Sequence, residues 1–220
     1  MTIADSRHWP PTRDLAVAFG LLAASGITSA AGNALIYVGF PDRPAPEDLI
    51  LRAVGPYVWA QYITEVAIIS SLAVLALYIF NHARAELAEM TTIFAVMYLI
   101  RSVIMVLTPL ANSYQGPGSF GFIPLDQLGM LPSGHVAAAL FCIYLIDARR
   151  APHMKHLAIA LFLIQIAALL LSHGHYSIDI VGGALLGYFV FHEWREGSLF
   201  TPLKKLLGNP AARAAEREQC

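Results

Sequence analysis

Six apolar segments, at roughly 15–38, 55–80, 91–110, 133–146, 156–171 and 177–191, leave little of the chain for anything else. The first two are long enough to cross a bilayer with tilt, whereas the last three are nearer 15 residues, at or under the lower limit of about 17. Any one short segment reads equally well as a buried helix of a water-soluble domain. Six in one chain, with charged residues at only 13% of the total against about 25% in an ordinary soluble domain, point to a membrane bundle. The expected fold class is all-α: an integral membrane six-helix bundle with both termini cytoplasmic. It divides into an N-terminal tail (1–14), a transmembrane catalytic domain (15–194) and a C-terminal tail (195–220). The first apolar run is too long for a signal-peptide core and is expected to be retained as a helix.

Orientation is read from Lys and Arg. With six crossings, Arg7, Arg13, Arg84, Arg149, Arg150, Lys155, Arg195, Lys204, Lys205, Arg213 and Arg217 share one side, which becomes the cytoplasmic one. Arg43 and Arg52 lie on the other, and Arg101 lies within a span. A net charge of −1 excludes a generally basic nucleic-acid binder, so no nucleic acid is expected as partner. The two cysteines suggest neither a disulfide framework nor a metal site.

Ionisable groups inside spans are costly and therefore informative. Four features can share the non-cytoplasmic half of the bundle: Glu65, Arg101, the "LPSGH" stretch 131–135, and "LSHGHYSIDIVGG" at 171–183. His175 and Asp179 stand at i and i+4, on one helix face and within mutual reach. A carboxylate on one ring nitrogen fixes the tautomer and exposes the lone pair of the other, the logic of an oriented base or nucleophile. The same pair could instead merely tie a loop to a helix. "PSGH" reads as a helix start: Pro132 ends a loop, Ser133 is a good N-cap, and Gly134 allows close approach of a ligand. The free amides make an anion site with His135 beside it. Arg101 offers a permanent charge with fork geometry suited to phosphate, or else an ion pair with Glu65 joining two helices. His173 either touches substrate or supports its loop. His82, His153, His156 and His192 fall at span ends, where an amphipathic side chain at the interface is ordinary.

"PSGH" followed by "HYSID" resembles the type 2 phosphatidic acid phosphatase superfamily, six-helix membrane enzymes that act on phosphate esters through a phospho-histidine. Within it, "HGHYSID" (173–179), "LIRSVIMVLTPL" (99–110), "PDRPAPEDLI" (41–50) and "WAQYITE" (59–65) are similar to the sphingomyelin synthase-related branch. The resemblance covers about 41–194. There are departures. Pro132 stands where the synthases have Phe, and Gly129 where they carry an acid, with Asp126 out of register. Leu169 stands where the phosphatases carry an Arg, and their upstream Lys-and-Arg-Pro motif is missing. With Arg101 as its main cation, the chain suits a phosphodiester monoanion better than a phosphomonoester dianion.

The resemblance implies a lipid phosphotransferase. It moves a phospho-headgroup from a glycerophospholipid donor to a lipid alcohol, ceramide or diacylglycerol. His175, oriented by Asp179, is the nucleophile and His135 the acid and then the base. Substrate contacts are expected from Arg101, Glu65, Ser133, Gly134, His173 and Tyr176, and no metal or other cofactor is expected. With water as acceptor the same site is a lipid phosphate phosphatase or phospholipase C-like hydrolase. Two readings of other classes are a haem bundle, with His135 facing His173 or His175, and a transporter. The short tails and loops suggest a bacterial inner-membrane protein with its site on the periplasmic side. The oligomeric state is left open, a homo-oligomer included.

Overall fold

The computed structural model describes residues 8–114 and 129–207. Asp126, Arg7, Arg213 and Arg217 lie outside them. The described residues are all-helical: α1 (Thr12–Gly39), α2 (Leu49–Ala53), α3 (Val58–His82), a 3₁₀ turn (Arg84–Glu86), α4 (Leu87–Leu107), α5 (Gly134–Leu145), α6 (Pro152–Leu171), α7 (Ser177–Glu196) and α8 (Thr201–Leu206). Each of the six apolar segments becomes a helix, but they are not equivalent. Four are long and apolar enough to cross a membrane: Thr12–Gly39, Val58–His82, Arg84–Leu107 and Pro152–Leu171. Of the six crossings expected, these four have the length and composition of spans. α5, with 12 residues, rises only about 18 Å against a hydrocarbon core of about 30 Å. α7 has the length but carries Asp179 in its first turn and Glu193, Arg195 and Glu196 near its end.

α5 can be short because protein surrounds it. It packs against α3, α4, α6 and α7, and Val136, Ala137, Ala138, Ala139, Phe141, Cys142 and Leu145 along it are buried. Backbone at membrane depth has to be satisfied within the protein, and a helix enclosed by its neighbours meets that condition at any length. The outer helices turn apolar side chains outward instead. Ile27, Val38, Ile69, Val103, Leu163 and Leu185 are all at least 60% exposed, a pattern fit for lipid and unfit for water.

Small residues set the closest approaches, as expected where van der Waals packing rather than hydrophobic expulsion joins helices. α1 lies along α4, where a Cβ on Gly32 would sit 2.4 Å from Met105 Cε and the Ser29 and Ser102 hydroxyls meet at 2.7 Å. α5 lies along α7 through Gly183 and Gly187. A Cβ on Gly183 would fall 2.5 Å from the Ser133 carbonyl oxygen, and one on Gly187 would fall 3.4 Å from that of Ala137.

One end of the bundle is clamped by polar contacts. Arg150 donates to Glu86 at 2.6 Å and to the His82 carbonyl at 3.3 Å. Trp194 Nε1 donates to Glu89 at 2.9 Å, and Arg84 lies over the Trp9 ring. Lys155 caps the last turn of α5 through the Ile143 and Ile146 carbonyls. Described residues from near both chain ends therefore meet at this basic end, and the helix starts carrying His135 and His175 lie at the other.

Candidate active site

α6 ends and α7 begins within five residues, and that turn is built around His173. The Gly174 amide donates to the Leu169 carbonyl and the His173 amide to that of Leu170, the pairing of a Schellman cap. Such a cap needs a left-handed residue, and His173 takes that role with φ 54°, a conformation a side chain adopts only when its surroundings fix it. The fixing contacts are present. His173 Nε2 donates to the Val54 carbonyl at 2.6 Å, and the His173 carbonyl accepts from Ser113 Oγ at 2.7 Å. His173 supports the loop, and its ring is committed to protein.

Beyond the turn, His175 Nδ1 stands 3.2 Å from Asp179 Oδ2. The same oxygen accepts from the Tyr176 amide at 3.0 Å, so the carboxylate both caps α7 and faces the imidazole. Asp179 is fully buried and His175 is 5% exposed. With Nδ1 donating, the Nε2 lone pair of His175 is free. His135, on the first turn of α5, places its ring centroid 5.9 Å from that of His175 at 66°. The two imidazoles thus meet edge to face where α5 and α7 begin.

Backbone contacts bring the two histidine-bearing helix starts together. The Ser133 amide donates to the Asp179 carbonyl at 2.9 Å, and Ser133 Oγ caps α5 by accepting from the Val136 amide at 3.3 Å. Ser133 is therefore spent on structure. The N-terminal amides of α5 without an intrahelical acceptor are those of Gly134 and His135, which moves the expected anion site one residue along the chain.

Arg101 also differs from expectation. Its Nε donates to the Pro132 carbonyl at 2.9 Å, one terminal nitrogen to the Gly129 carbonyl at 2.6 Å, and the other lies 3.6 Å from Met105 Sδ. A Cβ on Gly134 would come within 3.0 Å of Arg101 Nε, so the guanidinium passes directly beneath the start of α5. Arg101 thus holds the 129–134 strap while lending its charge to the amides above it. Arg101→Lys keeps the charge but cannot reproduce the fork. Turnover should fall by about a hundredfold, the scale of one lost preorganised electrostatic contact. A headgroup-exchange assay at saturating lipid checks this.

Of the remaining predicted residues, Tyr176 is buried with Leu51 and Met130, beneath the pair rather than open to a substrate. Glu65 is half-buried on α3 and does not figure among the contacts of His135, His175, Asp179 or Arg101 given above.

Asp48 is the residue that sequence reasoning passed over. Its Oδ1 accepts from the Ile50 and Leu51 amides at 2.9 and 3.2 Å and so caps α2, while its Oδ2 accepts from the Ser177 amide at 2.5 Å. The α2 cap is visible in the sequence as an Asp before a short apolar run. The reach across to α7 is not. Burial pushes the Asp48 carboxyl up, but the hydrogen bonds from Ser177, Leu51 and Ile50 outweigh it and hold the group below its usual range. A depressed folded-state pKa contributes stability that is present above the unfolded value of about 3.9 and is lost as pH falls through the folded one. The thermal stability advantage of the wild type over Asp48→Asn in detergent should therefore hold at neutral pH and shrink below about pH 4.

A family model described as AtPDCT1/2 matches residues 58–193, from the start of α3 to the end of α7. Comparison with curated proteins gives no match. The family is that of phosphatidylcholine:diacylglycerol cholinephosphotransferases, not of sphingomyelin synthases or type 2 phosphatidic acid phosphatases. This overturns the resemblance drawn from the short motifs. The resemblance rested on short motifs, whereas the family match extends over residues 58–193. The sphingolipid assignment and the bacterial inner-membrane location find no support in this match, while the membrane setting of the apolar helices stands. Spanning well over half of the chain, including both histidines, Asp179 and Arg101, the match shows that this membrane protein belongs to the AtPDCT1/2 family, lipid enzymes that transfer a phosphorylated headgroup.

Proposed function

We propose that the chain transfers phosphocholine from phosphatidylcholine to diacylglycerol through a covalent intermediate on His175. The observation that carries this reading is the buried His175–Asp179 pair, at 3.2 Å, facing His135 across 5.9 Å, in a chain of this family.

His175 Nε2 attacks the phosphorus of the donor. The bond from phosphorus to the diacylglycerol oxygen breaks, and protonated His135 delivers its proton to that oxygen. Asp179 stabilises the positive charge that develops on the His175 ring. Charge on the equatorial phosphoryl oxygens is met by the Gly134 and His135 amides and by Arg101 beneath them, where preorganisation supplies most of the acceleration. In the second half, neutral His135 takes the proton of the acceptor hydroxyl, the acceptor oxygen attacks phosphorus, and the phosphorus–nitrogen bond breaks. The proton balance closes after each full cycle. Glu65 is the proposed partner of the quaternary ammonium: an acid on α3, which packs against α5 and α6.

The near-complete burial of His175 favours a lipid acceptor over water. The clamped basic end is assigned to the cytoplasm, which puts the site in the opposite leaflet, within a catalytic unit spanning 15–194.

The test uses purified protein in mixed micelles of phosphatidylcholine, phosphatidylethanolamine and phosphatidylglycerol, with fluorescent diacylglycerol and fluorescent ceramide as acceptors. A new fluorescent phosphatidylcholine, read by mass spectrometry, is the expected product. Free phosphocholine and diacylglycerol without that product would show a hydrolase instead. Absence of any lipid change would refute both.

A further inference from the structure

α7 begins with more amide donors than its own turn can use, and two carboxylates divide them. Asp179 Oδ2 takes the Tyr176 amide at 3.0 Å while facing His175 Nδ1 at 3.2 Å. Asp48 Oδ2, from a loop 129 positions earlier, takes the Ser177 amide at 2.5 Å. The other Asp179 oxygen, Oδ1, is buried and has no hydrogen-bond partner among the described residues.

Asp179 is thus exposed to a competition. A carboxylate in the first turn of a helix is readily captured by the free amides of that turn. If the Ser177 amide had no acceptor of its own, the unused Asp179 Oδ1 would be the carboxylate oxygen with spare capacity in the same turn. Taking that bond would rotate the carboxylate and draw Oδ2 away from His175, leaving the ring without the contact that fixes its tautomer. On the reading of His175 as nucleophile, that contact is what exposes Nε2.

We propose that Asp48 is a positioning residue for the His175–Asp179 pair: by holding the Ser177 amide it reserves Asp179 for the imidazole. It touches neither histidine, so it acts through Asp179 and not on the substrate. The inference rests on the proposed role of His175, but its central statement, the tautomer and partner of that ring, is measurable without turnover.

The competition predicts a suppressor. Asp48→Ala frees the Ser177 amide, and Ser177→Pro removes that amide altogether. Proline suits this site: Ser177 is the first helical residue, where proline is favoured, and Tyr176 before it has φ −64° and ψ 154°, the extended conformation proline requires of its neighbour. Asp48→Ala alone should lower kcat at least about tenfold with KM nearly unchanged, the signature of lost positioning and not of lost binding. Asp48→Ala with Ser177→Pro should recover most of that loss.

Nitrogen-15 histidine spectra of the lipid-free protein in micelles give the independent readout. The His175 Nδ1–H signal hydrogen-bonded to carboxylate should be present in wild type, lost in Asp48→Ala and restored in the double variant.

If Asp48 only capped α2, the single variant would melt earlier but keep its His175 signal and its kcat, and Ser177→Pro would not repair it. That pattern would overturn the inference. A wild type that shows the expected His175 spectra but transfers no headgroup would defeat the transferase reading and leave the positioning argument standing.

Discussion

His175→Ala is expected to reduce headgroup exchange by at least about a thousandfold, the scale seen when a nucleophile is removed from a constellation whose members act as a unit. The protein should still fold. His175 lies in a turn whose shape is fixed elsewhere, by the Schellman pairing of Leu169 and Leu170 with Gly174 and His173 and by the His173 contacts to Val54 and Ser113. Asp179 keeps its bond from the Tyr176 amide. Gel filtration in detergent should therefore be unchanged while activity disappears. His135→Ala should be milder for a donor with a good leaving group when formation of the intermediate is measured, because that half then needs no proton delivery, while the base toward the acceptor is lost with either donor. Comparing the two variants on phosphatidylcholine and on an activated phosphodiester separates nucleophile from acid. An active His175→Ala enzyme would show that phosphorus is attacked by something else.

The second large effect comes from a residue with no chemistry. Gly183→Ala should cripple the enzyme, because the added carbon would lie 2.5 Å from the Ser133 carbonyl oxygen and 3.2 Å from both Ser133 Cβ and Val136 Cβ. None of these is the far end of a flexible side chain. The helices would have to separate, at a cost of about 1–3 kcal/mol for overpacking. The separation also falls on the contact that sets the histidines: the Ser133 amide bonds the Asp179 carbonyl, and a misplacement of about 1 Å can cost a hundredfold in rate. Activity should drop by about that factor and the melting temperature should fall with it. Gly26→Ala is the control, since nothing lies within 4 Å of its Cβ position. It should leave both quantities as they are.

What could be read from the sequence followed the range of each interaction. Helix positions were legible because lipid imposes long apolar stretches and the residues between them are few. The His175–Asp179 pair was legible because a four-residue spacing is local, although His175 lies in the turn before α7 and not on the helix itself. How a helix as short as α5 belongs to the bundle was not, because it is surrounded by α3, α4, α6 and α7 and its own composition does not record them.

Arg101 stands beneath the start of α5, and its backbone partners were not readable from the sequence. A guanidinium in a span suggests an anion or a carboxylate, and its bonds to the Pro132 and Gly129 carbonyls depend on a strap folding back across α4. Asp48 and Gly183 act over still longer range, through partners 129 and 50 positions away, and no local pattern marks them. The enzyme branch was misread because short motifs carry few residues, whereas the family is recognised over 58–193.

The most direct test of the central claim is to look for the intermediate. Purified protein is mixed with phosphatidylcholine labelled in its phosphorus, with no acceptor present, quenched in alkali and digested. The account predicts label on the peptide carrying His175, stable to base and labile to acid, with the added mass of phosphocholine. A chase with unlabelled diacylglycerol should move that label into new phosphatidylcholine. Exchange activity with no labelled peptide, and with turnover only when both lipids are bound together, would contradict it.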